Sequence, residues 1–167
     1  DSAVKWPFKL RGKHYLPTRG FSKSPFPPRR MTAMTCLMWF RDDLRLHDNQ
    51  ALSRAATAAS LSDAPLVAVV LDEPAYPSTR PLGGATTWWR ERSLYALASD
   101  LADYGVELIR AAGDARAEIP RLATELGATT VTWTRRYHGP LREVDASVKE
   151  TLTSQGTTAT SLPGFTL

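Results

Sequence analysis

The sequence predicts an α/β fold in which a parallel five-stranded sheet is covered on both faces by helices, and three observations carry that prediction. Short apolar or β-branched runs alternate with stretches of helical periodicity at close spacing. Two of the helical stretches stop at a glycine, Gly105 and Gly127. The strongest run, 65–71, is apolar at nearly every position, as a strand buried between two helix layers must be.

Taken in order, Cys36-Leu37-Met38-Trp39-Phe40 is an apolar run bounded by charge and reads as the first buried strand. After a polar loop over 41–47, Asp48 is expected to cap an Ala-rich helix over 49–60. The second strand, 65–71, leads into a loop with Pro74, Pro77, Pro81 and Gly83-Gly84, the last two read as a hinge before a helix. In the helix over 86–104, Trp88, Leu94, Leu97, Leu101 and Tyr104 are expected to form the core stripe. A strand at 106–111, a helix at 115–126 and a β-branched strand at 129–134 follow. A helix at 140–154 and a strand at 157–162 complete the set.

Composition excludes several classes of function. At 167 residues and 43% hydrophobic, the chain can build one packed domain. A single cysteine rules out an internal disulfide framework, and three scattered histidines give a metal site little to be built from. No run of 18 apolar residues would span a membrane. Net charge is +4, but residues 1–33 hold eight basic groups against one acid, whereas 34–167 sum to −3. A nucleic-acid-binding face is therefore not implied for the folded part.

Residues 1–33 also hold five of the 12 prolines and read as a disordered basic arm preceding a folded domain over 34–167. Three explanations of the arm stay open: a translated upstream stretch, an organelle transit peptide, or a tail touching nucleic acid through interleaved aromatics. It has no apolar leader core, so the expected location is cytoplasmic.

Open parallel sheets bind ligands beyond the carboxyl ends of their strands. The segments there, 40–47, 71–85, 111–116 and 134–140, contain neither a G-x-G-x-x-G nor a P-loop pattern. Asp42-Asp43 invites comparison with a phosphoacceptor receiver, but no lysine follows Lys149 and the third strand ends in Ala111-Ala112-Gly113.

Trp39-Phe40-Arg41-Asp42-Asp43-Leu44-Arg45-Leu46-His47-Asp48-Asn49-Gln50-Ala51-Leu52 resembles the W-F-R-x-D-L-R-x-x-D-N-x-A-L opening of the DNA photolyase/cryptochrome family. Gly83-Gly84-Ala85 before a Trp-rich helix is similar to that family's lead-in to its long helix. Trp133-Thr134-Arg135-Arg136-Tyr137 and then Arg142-Glu143-Val144-Asp145 resemble its W-N-x-x-Y-E-P-x-x-x-x-R-D stretch. The likeness runs over roughly 34–167.

The resemblance implies a Rossmann-like sheet of strand order 3-2-1-4-5, the family's N-terminal domain, which can hold a light-harvesting antenna of deazaflavin, folate or flavin type. It implies an FAD-binding helical domain as partner, with DNA reached through that domain, and light-driven reversal of cyclobutane pyrimidine dimers as the parent reaction. Nothing resembling the helical domain occurs by Leu167, so neither catalytic nor metal-binding residues are assigned and repair by this polypeptide alone is not expected. A cryptochrome photoreceptor fragment, a small nucleotide-binding or signalling domain without photochemistry, and a remnant without function are the alternatives.

The candidate antenna contacts are Phe40, Arg41, Asp42, Asp43, Trp133, Arg135, Tyr137 and His138, with Arg45, Asp48 and Asn49 organising the first loop. A flat, partly anionic pigment needs aromatic walls, donors and a cation. Trp39 and Trp133 serve a buried strand equally well as packing, and Arg41, Asp42, Asp43, Arg45 and Asp48 can instead neutralise one another within the loop. His138 stands where the family shows Glu and Thr134 where it shows Asn, which puts a folate in doubt. Trp88 and Arg92 are expected on one helix face and Trp89 on another.

Overall fold

The computed structural model describes residues 34–77 and 79–164; the basic arm lies outside the described residues. The elements are β1 (Thr35–Phe40), α1 (Gln50–Leu61), β2 (Leu66–Asp72), α2 (Gly84–Asp103), β3 (Glu107–Ala112), α3 (Ala115–Glu125), β4 (Ala128–Thr134), α4 (Gly139–Ser154) and β5 (Thr158–Leu162). All strand pairs are parallel, in the order β3-β2-β1-β4-β5. Type and order of every element match the sequence expectation, with ends displaced by a residue or two.

Because side chains alternate across a strand, β1 supplies both layers. Leu37 and Trp39 join Val131 and Trp133 against Ile119 of α3 and Val148 of α4. Met38 and Phe40 face the opposite way, onto Ala51 and Ala55 of α1 and Leu97 and Leu101 of α2. The alanines of α1 let that helix lie close to the sheet, and Thr132 donates to the Ala51 carbonyl across the gap at 3.0 Å. Gly105 and Gly127 follow their helices at φ 65° and 61°, the left-handed region in which a helix terminates most easily on glycine.

Two expectations are corrected. Asn49, not Asp48, caps α1: its Oδ1 accepts from the Leu52 N–H at 3.0 Å. Asp48 sits at φ 50°, a conformation Asp tolerates, and so delivers the chain into the helix one residue later. The core stripe of α2 is Leu94, Leu97 and Leu101, while Trp88 and Tyr104 are 51% and 41% exposed. Trp88 lies nine positions before Leu97, which at ~100° per residue puts it on the opposite side of the helix from the core stripe.

Candidate functional site

The order β3-β2-β1-β4-β5 places the reversal of sheet growth between β1 and β4, and the two strands end side by side, Trp39 registering with Trp133. Arg41, the first residue beyond β1, turns back into this crevice with its side chain only 3% exposed. Its Nη1 and Nη2 fork onto the two carboxylate oxygens of Asp145, on α4, at 2.5 and 2.7 Å, and Nη2 also donates to the Thr134 carbonyl. The guanidinium lies 4.3 Å from the centroid of the Trp39 ring.

The same carboxylate accepts from Arg136 at 2.9 Å, and Arg136 donates to Glu73 beyond β2 at 2.9 Å. The chain of charges Arg41–Asp145–Arg136–Glu73 thus ties β1, α4, the loop after β4 and the loop after β2 together. Below it, Asp43 accepts from the Thr134 hydroxyl and from Asn49 Nδ2, the latter at 3.2 Å. Gly164 passes so close to Thr134 that an added Cβ would lie 2.0 Å from its Cγ2, so the segment after β5 closes over the same point. Tyr76, whose Oη accepts from the Ala115 N–H at 3.0 Å, fixes the loop after β2 to the start of α3. Burial pushes its phenol up to about 12, which keeps it protonated at neutral pH.

This arrangement corrects the idea of a self-neutralising first loop. Arg41 finds its acid 104 residues away instead of among Asp42, Asp43 and Asp48. Within the loop, Arg45 meets Asp48 at 3.6 Å with both groups exposed, a pair worth little. Asn49 Nδ2 donates to Asp43 and to the Arg45 carbonyl.

The candidate contacts divide by depth. Phe40 and Trp133 have no exposure, Phe40 against α1 and Trp133 against the α3/α4 layer, and Arg41 and Asp43 are 6% and 5% exposed. Asp42, Arg135, Tyr137 and His138 stand at the surface around the crevice. Arg135 donates to the Ser161 carbonyl at 3.2 Å, and His138 precedes α4 without capping it through its side chain. Between β1 and β4 the Arg41 guanidinium already covers the Trp39 indole, which leaves a ring, a cation and an acid exposed among the candidates, Tyr137, Arg135 and Asp42. Glu73, Arg136 and Asp145 were not singled out as site residues in the sequence. Arg136 and Asp145 lay within the two stretches quoted for the resemblance, 133–137 and 142–145, whereas nothing pointed to Glu73.

Burial alone would raise the Asp145 carboxyl, but the bonds from Arg41 and the charges of Arg41 and Arg136 outweigh it and hold the group below the ordinary aspartate value. With the folded value below the unfolded ~3.9, this contribution to stability is complete above about pH 5, declines as the unfolded carboxyl titrates, and is lost once pH has fallen through the folded value. Urea unfolding between pH ~5 and ~2.5 is expected to show a decline that is shallower in Asp145→Asn, although that variant is less stable at neutral pH. Equal slopes in the two proteins would show that Asp145 has no such role.

Among the described residues no group of three His, Cys, Asp or Glu side chains is placed to hold a metal ion, and no helix is long and apolar enough to cross a membrane. A shallow depression lined by Ala146, Lys149, Glu150, Thr153 and Ser154 lies on α4, whose Asp145 side is the one that meets the crevice.

Comparison with known proteins gives one consistent result. The family model described as DNA photolyase matches residues 36–167. A deoxyribodipyrimidine photo-lyase of Agrobacterium fabrum is 41% identical over 128 residues, covering 77% of this chain and 25% of the relative. The crystal structure of a bacterial class III photolyase from Agrobacterium tumefaciens superimposes with a TM-score of 0.67 at 39% identity, over 84% of this chain and 27% of that one. A Synechocystis cryptochrome superimposes with a TM-score of 0.69 at 27% identity, over 77% of this chain and 27% of that one. The chain spans about a quarter of the length of the relatives it matches.

Proposed function

Since the chain belongs to the DNA photolyase family and has the fold of its N-terminal α/β domain, we propose that it is the light-gathering domain of a photolyase-type protein. It holds a conjugated antenna pigment on the rim of the β1/β4 crevice and docks against an FAD-binding helical domain. The parent reaction is light-driven reversal of cyclobutane pyrimidine dimers in DNA, with lesion binding and electron transfer lying in that helical domain.

The supporting observation is a strand-end rim held rigid by the buried chain of charges beneath it, with aromatic and ionisable groups left exposed above. Tyr137 offers a ring for stacking, Arg135 a cation for an acidic tail, and Asp42 and His138 partners for ring donors and acceptors. The pigment supplies absorption of near-ultraviolet or blue light; the protein supplies position and orientation. His138 in the usual Glu position weakens the case for a folate relative to a deazaflavin or flavin.

The test is a titration of the purified chain with a methenyl folate, an 8-hydroxy-deazaflavin and FMN, followed by absorbance at roughly 350–450 nm. Saturable binding of one pigment, weakened at least about tenfold by Tyr137→Ala with Arg135→Ala, is the expected result. A chain that binds none of the three but takes up ATP would instead be a nucleotide-binding domain without photochemistry. Whether the parent repairs DNA or serves as a cryptochrome photoreceptor is a property of the helical domain.

A further inference from the structure

Because the strands are all parallel and the first four are each followed by a helix, every helix ends at the edge of the sheet where the strands begin. The carbonyl ends of four helix dipoles therefore converge on that edge, where cations are the favoured neighbours. None of the four helices has a basic residue in its last turn, and α2 closes instead on Asp100 and Asp103. Asp63 lies in the turn before β2, and Glu107 opens β3. All four acids are exposed, and none has an ion-pair partner among the described residues. Without them residues 34–167 would sum to +1 instead of −3, so the negative charge of the folded part belongs to this edge.

These acids lie to one side of the point where the chain enters. β1 is the middle strand, and the N–H groups of Thr35 and Cys36 at its start donate to the Gly127 and Pro65 carbonyls at 3.1 and 2.9 Å. The residues before Thr35 thus join the sheet halfway along its amino-terminal edge. Leu37, Val67 and Glu107 form one row across β1, β2 and β3, which sets Glu107 two strands from the entry, about 10 Å. Asp63 is nearer still, two residues before the Pro65 that bonds Cys36. On the other side, before β4 and β5, the acids are compensated: Glu125 pairs with Arg121, and Glu150 stands next to Lys149.

The residues before Thr35 carry the complementary charge, eight basic groups against one acid over 1–33, with Arg29 and Arg30 nearest the sheet. Arg30 is five residues before Thr35, a reach of up to ~17 Å, which spans the row to Glu107. Covalent attachment also holds these cations at an effective concentration on the order of millimolar. We infer that the β2/β3 side of the amino-terminal edge is the docking surface for the chain's own basic arm, residues 1–33, with Arg29 and Arg30 meeting Asp63, Asp103 and Glu107. Each contact alone is a surface ion pair worth little, so the hold is collective and yields to salt. The surface is independent of the pigment rim, which lies at the opposite edge of the sheet.

The test is paramagnetic broadening of backbone amides in the full chain, with a nitroxide attached through Ser24→Cys; Cys36, 1% exposed, takes no label. Spectra are compared at roughly 20 mM and 500 mM salt, where charges act over roughly 20 Å and 4 Å. Attachment alone broadens both sides of the entry equally. At low salt the amides of Leu66 and Glu107 are expected to broaden at least about threefold more than those of Ala128 and Thr158, as a docked arm requires. The difference is expected to vanish at high salt and in Asp63→Lys/Asp103→Lys/Glu107→Lys. Equal broadening of the two sides at low salt, or broadening centred on 41–47 and 135–138, overturns the inference. So does a difference that persists in the triple variant or at high salt. A nitrogen-15 chain without label, mixed with labelled chain at natural abundance, is expected to stay sharp; broadening there assigns the surface to the arm of a second copy and overturns the inference as well.

Discussion

Arg41→Ala is expected to destabilise the domain by about 3–5 kcal/mol, the cost of breaking a buried ion pair by removing one member. The loss does not come from the pair's own attraction, which roughly offsets the cost of burying two charges. It comes from what is left behind: Asp145, 8% exposed, keeps only Arg136 as partner, and the Thr134 carbonyl loses its Nη2 donor. The face of Trp39 is uncovered as well. Replacing both members by apolar residues of similar size, Arg41→Met with Asp145→Leu, is expected to recover most of the loss, because no charge is then stranded. Urea denaturation of the two single variants and the double gives the coupling directly, expected to exceed about 2 kcal/mol. Simple additivity of the single effects would mean that the two groups do not act as a pair.

Trp39→Ala is expected to cost about 3–5 kcal/mol, the range for truncating a buried aromatic. Trp39 has no exposure, tilts against Trp133 at 5.9 Å and carries Arg41 on its other side, so its removal opens a cavity between β4 and the charged cluster. Trp39→Phe is expected to cost clearly less. The indole Nε1 is buried with no hydrogen-bond partner among the described residues, so phenylalanine gives up ring volume but strands no polar group. The urea midpoints of the two variants, at unchanged m-value, check the ordering. A Phe variant as unstable as the Ala variant would show that the indole N–H carries weight in the fold.

The fold was legible because the strands and helices are written in local patterns. The run from Cys36 to Phe40, the alanines of 51–59 and the β-branched 129–134 each specify their element, and the glycines after two helices mark the stops. The boundary at Asp48 and Asn49 was harder, since both residues make good caps and only the left-handed turn at Asp48 decides between them. Trp88 was misplaced because hydrophobicity was read without the exact angular step. The site was less legible than the fold. Arg41 stands among nearby acids, yet burial selects the distant Asp145, which the packing of α4 onto β4 delivers into the crevice and which can accept a bidentate fork. Linear spacing cannot show such a choice, nor that Thr134, in place of the family's Asn, would bond Asp43 and lie against Gly164.

The most direct measurement is a nitrogen-15 NMR titration of the chain with the pigment that binds, following backbone amides together with the Arg41 guanidinium protons. Shifts confined to loops 41–47 and 135–138, with the Arg41 protons still slow to exchange, are expected if the pigment rests on the rim above an intact Arg41–Asp145 pair. Release of the Arg41 protons on binding, or shifts centred on Lys149 and Thr153 of α4, would contradict a filled crevice with its pigment above it.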